Sequence, residues 1–275
     1  MTRREYRRRW LIQHRKYEKR AAIIFRKHFR STAFRLPFDS INGDNYEILI
    51  TLFVLQSEIE NAYFDVYSEI GIRHGKRIGR EINSEIREQK DFDPTTFEGS
   101  YRDFVRNWIL NNAGTRITSV REELIESLIK FISDGIENGQ DIRTISRQLR
   151  KHILSRGFYR WQIERIVRTE TTAAANLAAT RAGENSRVVW EKEWISSRDS
   201  RTRRRPDDAF DHFDIDGMRV GRNDKFNIQG DLLDYPGDPN GQPANVINCR
   251  CTVAIVPKRD ENGRIVFRDR LQVIT

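Results

Sequence analysis

The stretch Ile163–Ile195 reads IERIVRTETTAAANLAATRAGENSRVVWEKEWI and changes period at Gly183. Before that glycine, Ile163, Ile166 and Val167 keep helical spacing. Thr171 to Ala182 is then rich in alanine, the composition of a helix that packs tightly on other helices. After it, Val188 to Ile195 alternates around Trp190 and Trp194, the period of a strand. A helical region therefore precedes residue 183 and a strand-and-loop region follows. The class this predicts is α+β, a largely α-helical N-terminal region followed by a small, loop-rich α+β C-terminal domain with a few short strands.

Upstream, apolar residues keep the helical period throughout. Residues 5–29 read as an amphipathic helix with Tyr6, Trp10, Tyr17, Ala21, Ile24 and His28 near one face. Leu36-Pro37 and the polar residues 39–45 break it. Ile48, Leu52, Leu55, Ile59, Ala62, Val66 and Ile70 then form the apolar stripe of one long helix. Gly71, Gly75 and Gly79 follow at every fourth position, where another backbone can approach closely. Asp91 to Thr96, with Pro94, ends that element. Further helices are expected from Phe97 to Ile109, from Ile117 to Ile136 with Gly139 as C-cap, and from an Asp141 N-cap through Ile153. The last runs from about Phe158 to Arg181. Downstream, residues 196–245 are dense in Asp, Arg, Gly, Pro and Asn and read as loops with short strands. Thr252–Val256 is a strand and Arg264–Phe267 an edge strand. The divisions expected are a basic arm over 1–40, a helical region over 41–139 and a C-terminal domain over 140–275, whose late helices end at about residue 182.

Hydrophobic residues make up 37% of the chain and charged residues 32%. That is polar, but 275 residues suffice to bury a core. No apolar run approaches the roughly 20 residues of a membrane span. The Arg-rich start has no apolar stretch behind it, so neither membrane association nor a secretory signal is expected. The net charge of +9 is concentrated at one end: residues 1–30 hold twelve Arg and Lys against Glu5 and Glu18, and the rest is close to neutral. Arg3, Arg4, Arg7, Arg8, Arg9, Arg15 and Lys16, with a second cluster at Arg203, Arg204 and Arg205, are the candidate nucleic-acid contacts. No sequence-reading motif accompanies them, so any DNA binding is expected to be non-specific and salt-sensitive. Cys249 and Cys251 stand one residue apart. A disulfide between them would close a strained ring, so a reducing compartment is expected.

The informative residues lie between 165 and 256. They are Arg168-Thr169-Glu170 on the late helix, the loop Asp199-Ser200-Arg201-Thr202 after the Trp strand, His212, the turn Asp216-Gly217, the loop Pro236-Gly237-Asp238-Pro239, and Asn248-Cys249-Arg250-Cys251 leading into a strand. In order and spacing this set resembles the C-terminal domain of the phage Mu F-like minor head proteins, the head-morphogenesis family of tailed phages, over roughly residues 140–256.

The resemblance implies a minor head protein of the virion, associated with the portal and acting in head morphogenesis and in packaged-DNA organisation or delivery. The partners it implies are the portal protein, a major capsid or scaffolding protein, and non-specific double-stranded DNA. It also implies host cytoplasm during assembly and the capsid interior near the portal vertex afterwards. One branch of the family has cysteines after the D-x-R-T loop, combining with C-R-C in a zinc-ribbon-like arrangement. Here that stretch is Arg203-Arg204-Arg205-Pro206-Asp207. Tetrahedral zinc takes four ligands; Cys249, Cys251 and His212 supply three, with Asp199 or Asp211 as the available fourth. No cofactor is the expectation, with the two cysteines as small packing groups and His212 hydrogen-bonded among the loops; zinc through Cys249, Cys251 and His212 is the alternative. Asp199, His212 and Glu170 are also the residues on which a nuclease or ADP-ribosyltransferase-like enzyme would rest. The reading preferred is structural, with Arg168 and Glu170 pairing to Asp199, Arg201 or Arg250 and pinning loops whose buried polar groups need partners.

Overall fold

A computed structural model describes residues 1–86, 92–154 and 160–268. Seven helices come first: α1 (Arg3–Phe34), α2 (Tyr46–Phe53), α3 (Gln56–Glu85), α4 (Pro94–Asn112), α5 (Gly114–Glu137), α6 (Ile142–Leu154) and α7 (Arg160–Glu184). The strand region follows: β1 (Trp190–Ile195), β2 (Arg219–Gly221), β3 (Phe226–Ile228), β4 (Asp231–Leu233), the short α8 (Pro243–Val246) and β5 (Thr252–Pro257). The class is α+β. Among the described residues no helix is long and apolar enough to cross a membrane. The expected start of the last helix near Phe158 and the final residues 269–275 lie outside the described residues.

The centre of the molecule is the α3–α7 pair, with α1 laid across both. Small side chains make the close approach possible: Ala173, Ala174, Ala175, Ala178, Ala179 and Ala182 of α7 are all fully buried. On α1 the buried row is Trp10, His14, Tyr17, Ala21, Phe25 and Phe29. Ile24 and His28 are only half-buried. Beyond Ala21 the seam follows 25 and 29, because Phe25 meets Tyr63 of α3 edge-on, with ring centroids 5.7 Å apart.

The single long helix expected from Ile48 is two. Leu55 is extended (φ −76°, ψ 134°), and the carbonyls freed at the end of α2 are taken by Arg121, whose Nε donates to Val54 O at 2.7 Å and Nη2 to Thr51 O at 2.8 Å. The break rotates α2 away from the stripe, leaving Ile48, Leu52 and Leu55 exposed at 63%, 62% and 41% while Ile59, Ala62, Val66 and Ile70 are buried. Pro94, expected among residues that end a helix, opens α4 instead. Asp93 caps that helix, accepting from the amides of Thr95 (2.9 Å) and Thr96 (3.2 Å). Asp141 caps α6 through the amide of Thr144 at 3.0 Å, and Gly139 closes α5 with φ +73°.

The glycine row on α3 admits aromatic rings. A Cβ on Gly71, Gly75 or Gly79 would sit 2.2–2.3 Å from atoms of Tyr101, Phe97 and Phe92 respectively, and on Gly75 also 3.3 Å from the carbonyl of Ala178 on α7. Gly75 is therefore closed on two sides. Gly75→Ala is expected to destabilise the fold by about 2 kcal/mol, even though alanine favours an isolated helix by about 1 kcal/mol. Urea midpoints compare the two directly, and an unchanged or raised midpoint would contradict the packing argument.

Three strands form an antiparallel sheet in the order β2-β1-β5, with Glu193 opposite Ala254 and Glu191 opposite Gly221. The alternation read in Val188–Ile195 does not give a solvated face. Trp190, Lys192 and Trp194 are at most 2% exposed, and Glu193 on the other face only 6%. β1 is central: Trp194 packs on Phe226 of the β3–β4 hairpin (centroids 5.2 Å apart), and Glu193 is covered by Arg3 and Arg219. The expected edge strand at 264–267 is reduced to isolated bridges, Arg259 with Ile265 and Val188 with Phe267.

Candidate functional site

The site is built where α7 runs beneath the entry to β5. Thr169, Thr172 and Asn176 stand at helical spacing on one face of an otherwise alanine-rich helix, and each addresses the main chain of residues 248–253. The Thr169 hydroxyl accepts from the Asn248 amide (2.9 Å). Thr172 donates to the carbonyl of Cys249 (2.6 Å). Asn176 accepts from the Val253 amide and the Thr252 hydroxyl, both at 2.9 Å, and donates to the carbonyls of Pro236 (2.9 Å) and Cys251 (3.2 Å). This row satisfies the backbone of a segment that has left the sheet ladder while remaining buried. Trp10 and His14 of α1 close it from above: the indole donates to Arg250 O (2.7 Å), and His14 Nε2 meets the Thr172 hydroxyl (2.9 Å).

Glu170 points the other way along α7. It accepts from Tyr67 at 2.7 Å and pairs with Arg116 at 3.4 Å; Arg116 also donates to the carbonyls of Gly237 (3.3 Å) and Asp238 (3.2 Å). One buried ion pair thus joins α3, α5, α7 and the Pro-rich loop. Burial, then the Glu170 carboxylate, push the Tyr67 hydroxyl far above its ordinary pKa, so it is a donor at any working pH. Arg168 pairs with Glu18 of α1 (3.3 Å) and donates to the Asn248 side chain (3.1 Å). The expected pairing of Arg168 and Glu170 with the D-x-R-T loop is therefore replaced by pairing to the helical body. The loop has its own tie: Asp199 accepts from Arg250 (2.5 Å) and from the amide of Arg201 (3.1 Å), and its backbone is closed by Thr202 (3.0 Å). The Arg201 side chain is exposed.

Asp216 and Gly217 anchor the start of α1. The Asp216 carboxylate, almost fully buried, receives Arg7 (2.6 Å), Arg198 (2.9 Å) and the amide of Ser196 (2.9 Å). Gly217 (φ +90°) donates to Trp194 O at 2.8 Å, and a side chain on it would strike the guanidinium of Arg3.

His212, Cys249 and Cys251 converge from the long β1–β2 connection and the residues before β5. Their ligand atoms all lie within 4.8 Å of one another, and the three are buried. His212 Nδ1 is 3.6 Å from Cys249 Sγ and 3.7 Å from Cys251 Sγ. Neither Asp199 nor Asp211 joins them. Asp199 is committed to Arg250, and Asp211 accepts the amides of Arg205 (3.2 Å), Phe213 (2.9 Å) and Asp214 (2.8 Å). Asp199, His212 and Glu170, the trio an enzyme would need, thus occupy three settings with separate partners.

The basic candidates divide in two. Arg7 turns inward to Asp216, Arg3 reaches Glu193 (2.8 Å) while staying partly open to solvent, and Arg203 donates to Ile247 O at 2.6 Å. Arg4, Arg8, Arg9, Arg15, Lys16, Arg204 and Arg205 are exposed, although Arg204 also lies 4.5 Å over the ring of Phe213.

Sequence reading named Arg168, Thr169, Glu170, Asp199, His212, Asp216, Arg250 and both cysteines, but missed Thr172, Asn176, Arg116, Asn245 and His14. Thr172 and Asn176 had a visible signal, polar residues at helical spacing inside an alanine run. Arg116 and Asn245 come from distant segments and had none.

Neither a curated protein nor a solved structure matches the chain. Residues 126–254, a little under half of the chain, match the family model described as Phage Mu protein F like protein.

Proposed function

We propose that the chain is a minor head protein of a tailed bacteriophage, carried in the virion near the portal vertex, which acts in head morphogenesis and contacts packaged DNA through the outer face of α1. The observation that carries this reading is the junction of the family domain with that helix. The domain's own residues, Asp216, Glu193 and the C-R-C segment, hold the inner face of α1. The opposite side presents Arg4, Arg8, Arg15, Lys16 and Lys19 to solvent. α1 has 32 residues and is about 48 Å long. A rigid basic rod of that length suits a phosphate backbone and reads no sequence. The portal protein is the principal partner in this reading, with a major capsid or scaffolding protein as further partners.

Two measurements test it. The chain is expected in purified particles and in complexes with the portal protein of the same phage; particles that form normally without it would refute the head assignment. In DNA titrations at several salt concentrations, replacing Arg4, Arg8, Arg15, Lys16 and Lys19 by Gln is expected to flatten the log K against log salt slope by about 4, close to 0.9 per lost phosphate contact. An unchanged slope would remove DNA from the reading and leave the portal contact standing.

A further inference from the structure

We infer that His212, Cys249 and Cys251 bind one zinc ion, which locks the long β1–β2 connection to the entry of β5. This does not depend on the head-assembly reading.

The distances carry the argument. With Zn–S near 2.3 Å and Zn–N near 2.0 Å, a tetrahedral ion holds sulfur and nitrogen about 3.6 Å apart. The two sulfur–nitrogen distances here are 3.6 and 3.7 Å. Two of the three ligand–ligand separations therefore match such a tetrahedron, and the two sulfurs lie within 4.8 Å of each other.

Hydrogen bonding fixes which imidazole nitrogen is free to ligate. Asn245 Nδ2 donates to Asp231 at 2.7 Å, so its Oδ1 faces His212 Nε2 at 2.5 Å and accepts a hydrogen bond from it. Nε2 therefore carries the hydrogen, and the Nδ1 lone pair points at the two sulfurs. A carboxylate–amide–imidazole relay of this kind orients a metal-bound histidine from outside the ligand sphere. His212, Cys249 and Cys251 are at most 3% exposed, and Trp194 packs edge-on to the imidazole with centroids 5.2 Å apart.

Two thiolates, one neutral imidazole and a nearly dry setting select a borderline-soft ion over magnesium or calcium. Binding releases the two thiol protons to solvent, leaves Nε2–H in place and gives a site with no net charge. The fourth position goes to a solvent molecule. The role is structural: the region from Ser196 to Asn245 buries few apolar side chains, and the ion joins it to the strand that α7 supports.

The test uses the full chain. Purified without chelator, it is expected to carry about one equivalent of zinc, with both thiols unreactive to a disulfide reagent until a chelator is added. Loaded with cobalt(II), the folded chain should show thiolate-to-cobalt charge-transfer absorption and the strong visible bands of a tetrahedral ion. Cys251→Ser should remove about half of the charge-transfer intensity. Asn245→Ala, which keeps all three ligands, should weaken zinc affinity about 10- to 100-fold. If the cysteine variant fails to fold, the unaltered chain's cobalt spectrum still decides. A folded wild-type chain that takes up neither ion, or whose cysteines are joined as a disulfide, overturns the proposal.

Discussion

Asn176→Ala is expected to destabilise the chain by about 4 kcal/mol. The change leaves the Val253 amide, the Thr252 hydroxyl and the carbonyls of Pro236 and Cys251 without their partner inside a fully buried seam. Each buried polar group left unsatisfied costs about 1–3 kcal/mol, and local relaxation recovers part of the sum. Asn176→Asp should be no better. It keeps the acceptor, loses the donor to two carbonyls, and brings a carboxyl into a fully buried site. Thr180→Ala is the control on the same helix, because Thr180 donates to the Leu177 carbonyl one turn back and is half-buried; its cost should stay below about 1 kcal/mol. Urea unfolding with an unchanged slope gives the comparison. A loss under about 1 kcal/mol for Asn176→Ala would mean that the row of ties from α7 does not hold the C-R-C segment.

Mild acid should have an effect of similar size, arising on the other side of the same seam. His14 and His74 are buried at the contact of α1 with α3 and α7. His14 is pushed from 6.5 to about 3, first by burial and then by Arg250 and Arg168. Glu18 lies 3.7 Å from His14 Nδ1 but is a quarter exposed and shared with Arg168, so it does not reverse the shift. His74 is lowered well below its ordinary value by burial, then by Arg77 and His14; neither ring nitrogen has a hydrogen-bond partner, and Trp10 and Tyr17 pack edge-on to the ring.

The unfolded chain therefore takes up protons near pH 6.5 that the folded chain refuses. Stability from these groups is complete above that pH and falls as the pH drops toward the folded value. For His14 the slope is about 1.4 kcal/mol per pH unit, or roughly 2 kcal/mol between pH 6.5 and 5, and His74 adds in the same direction. Urea midpoints at pH 7 and 5 measure the loss. His74→Phe, which removes two unpartnered nitrogens and keeps a ring, should shrink the difference between the two pH values; an unaltered difference would clear His74 of any part in it.

How much of this was legible in the sequence follows from the range of each interaction. Periodicity is local, so the alanine run of α7, the caps at Asp141 and Gly139 and the strand around Trp194 could be read from neighbouring residues alone. The ordered motifs from Arg168 to Cys251 also stand in the chain as written, and they lie within the stretch that matches the family model. The α2–α3 break could not be read, because the guanidinium that holds it belongs to Arg121 on α5. Glu170 pairs with Arg116 from α5, and Asp216 takes Arg7, more than 200 residues away, beside the local Arg198.

Charge counting gave the excess of arginine at the start of the chain correctly. It could not separate Arg3 and Arg7, turned onto buried carboxylates, from Arg4 and Arg8, turned to solvent, since only the docking of α1 decides which side of the helix faces the domain. Likewise, the sequence supplied His212, Cys249 and Cys251 as residue types at long separation. That their ligand atoms converge within 4.8 Å of one another, with Asn245 facing the imidazole, is decided by the tertiary structure alone, because a ligand set is a matter of distances and a sequence carries no distances between remote positions.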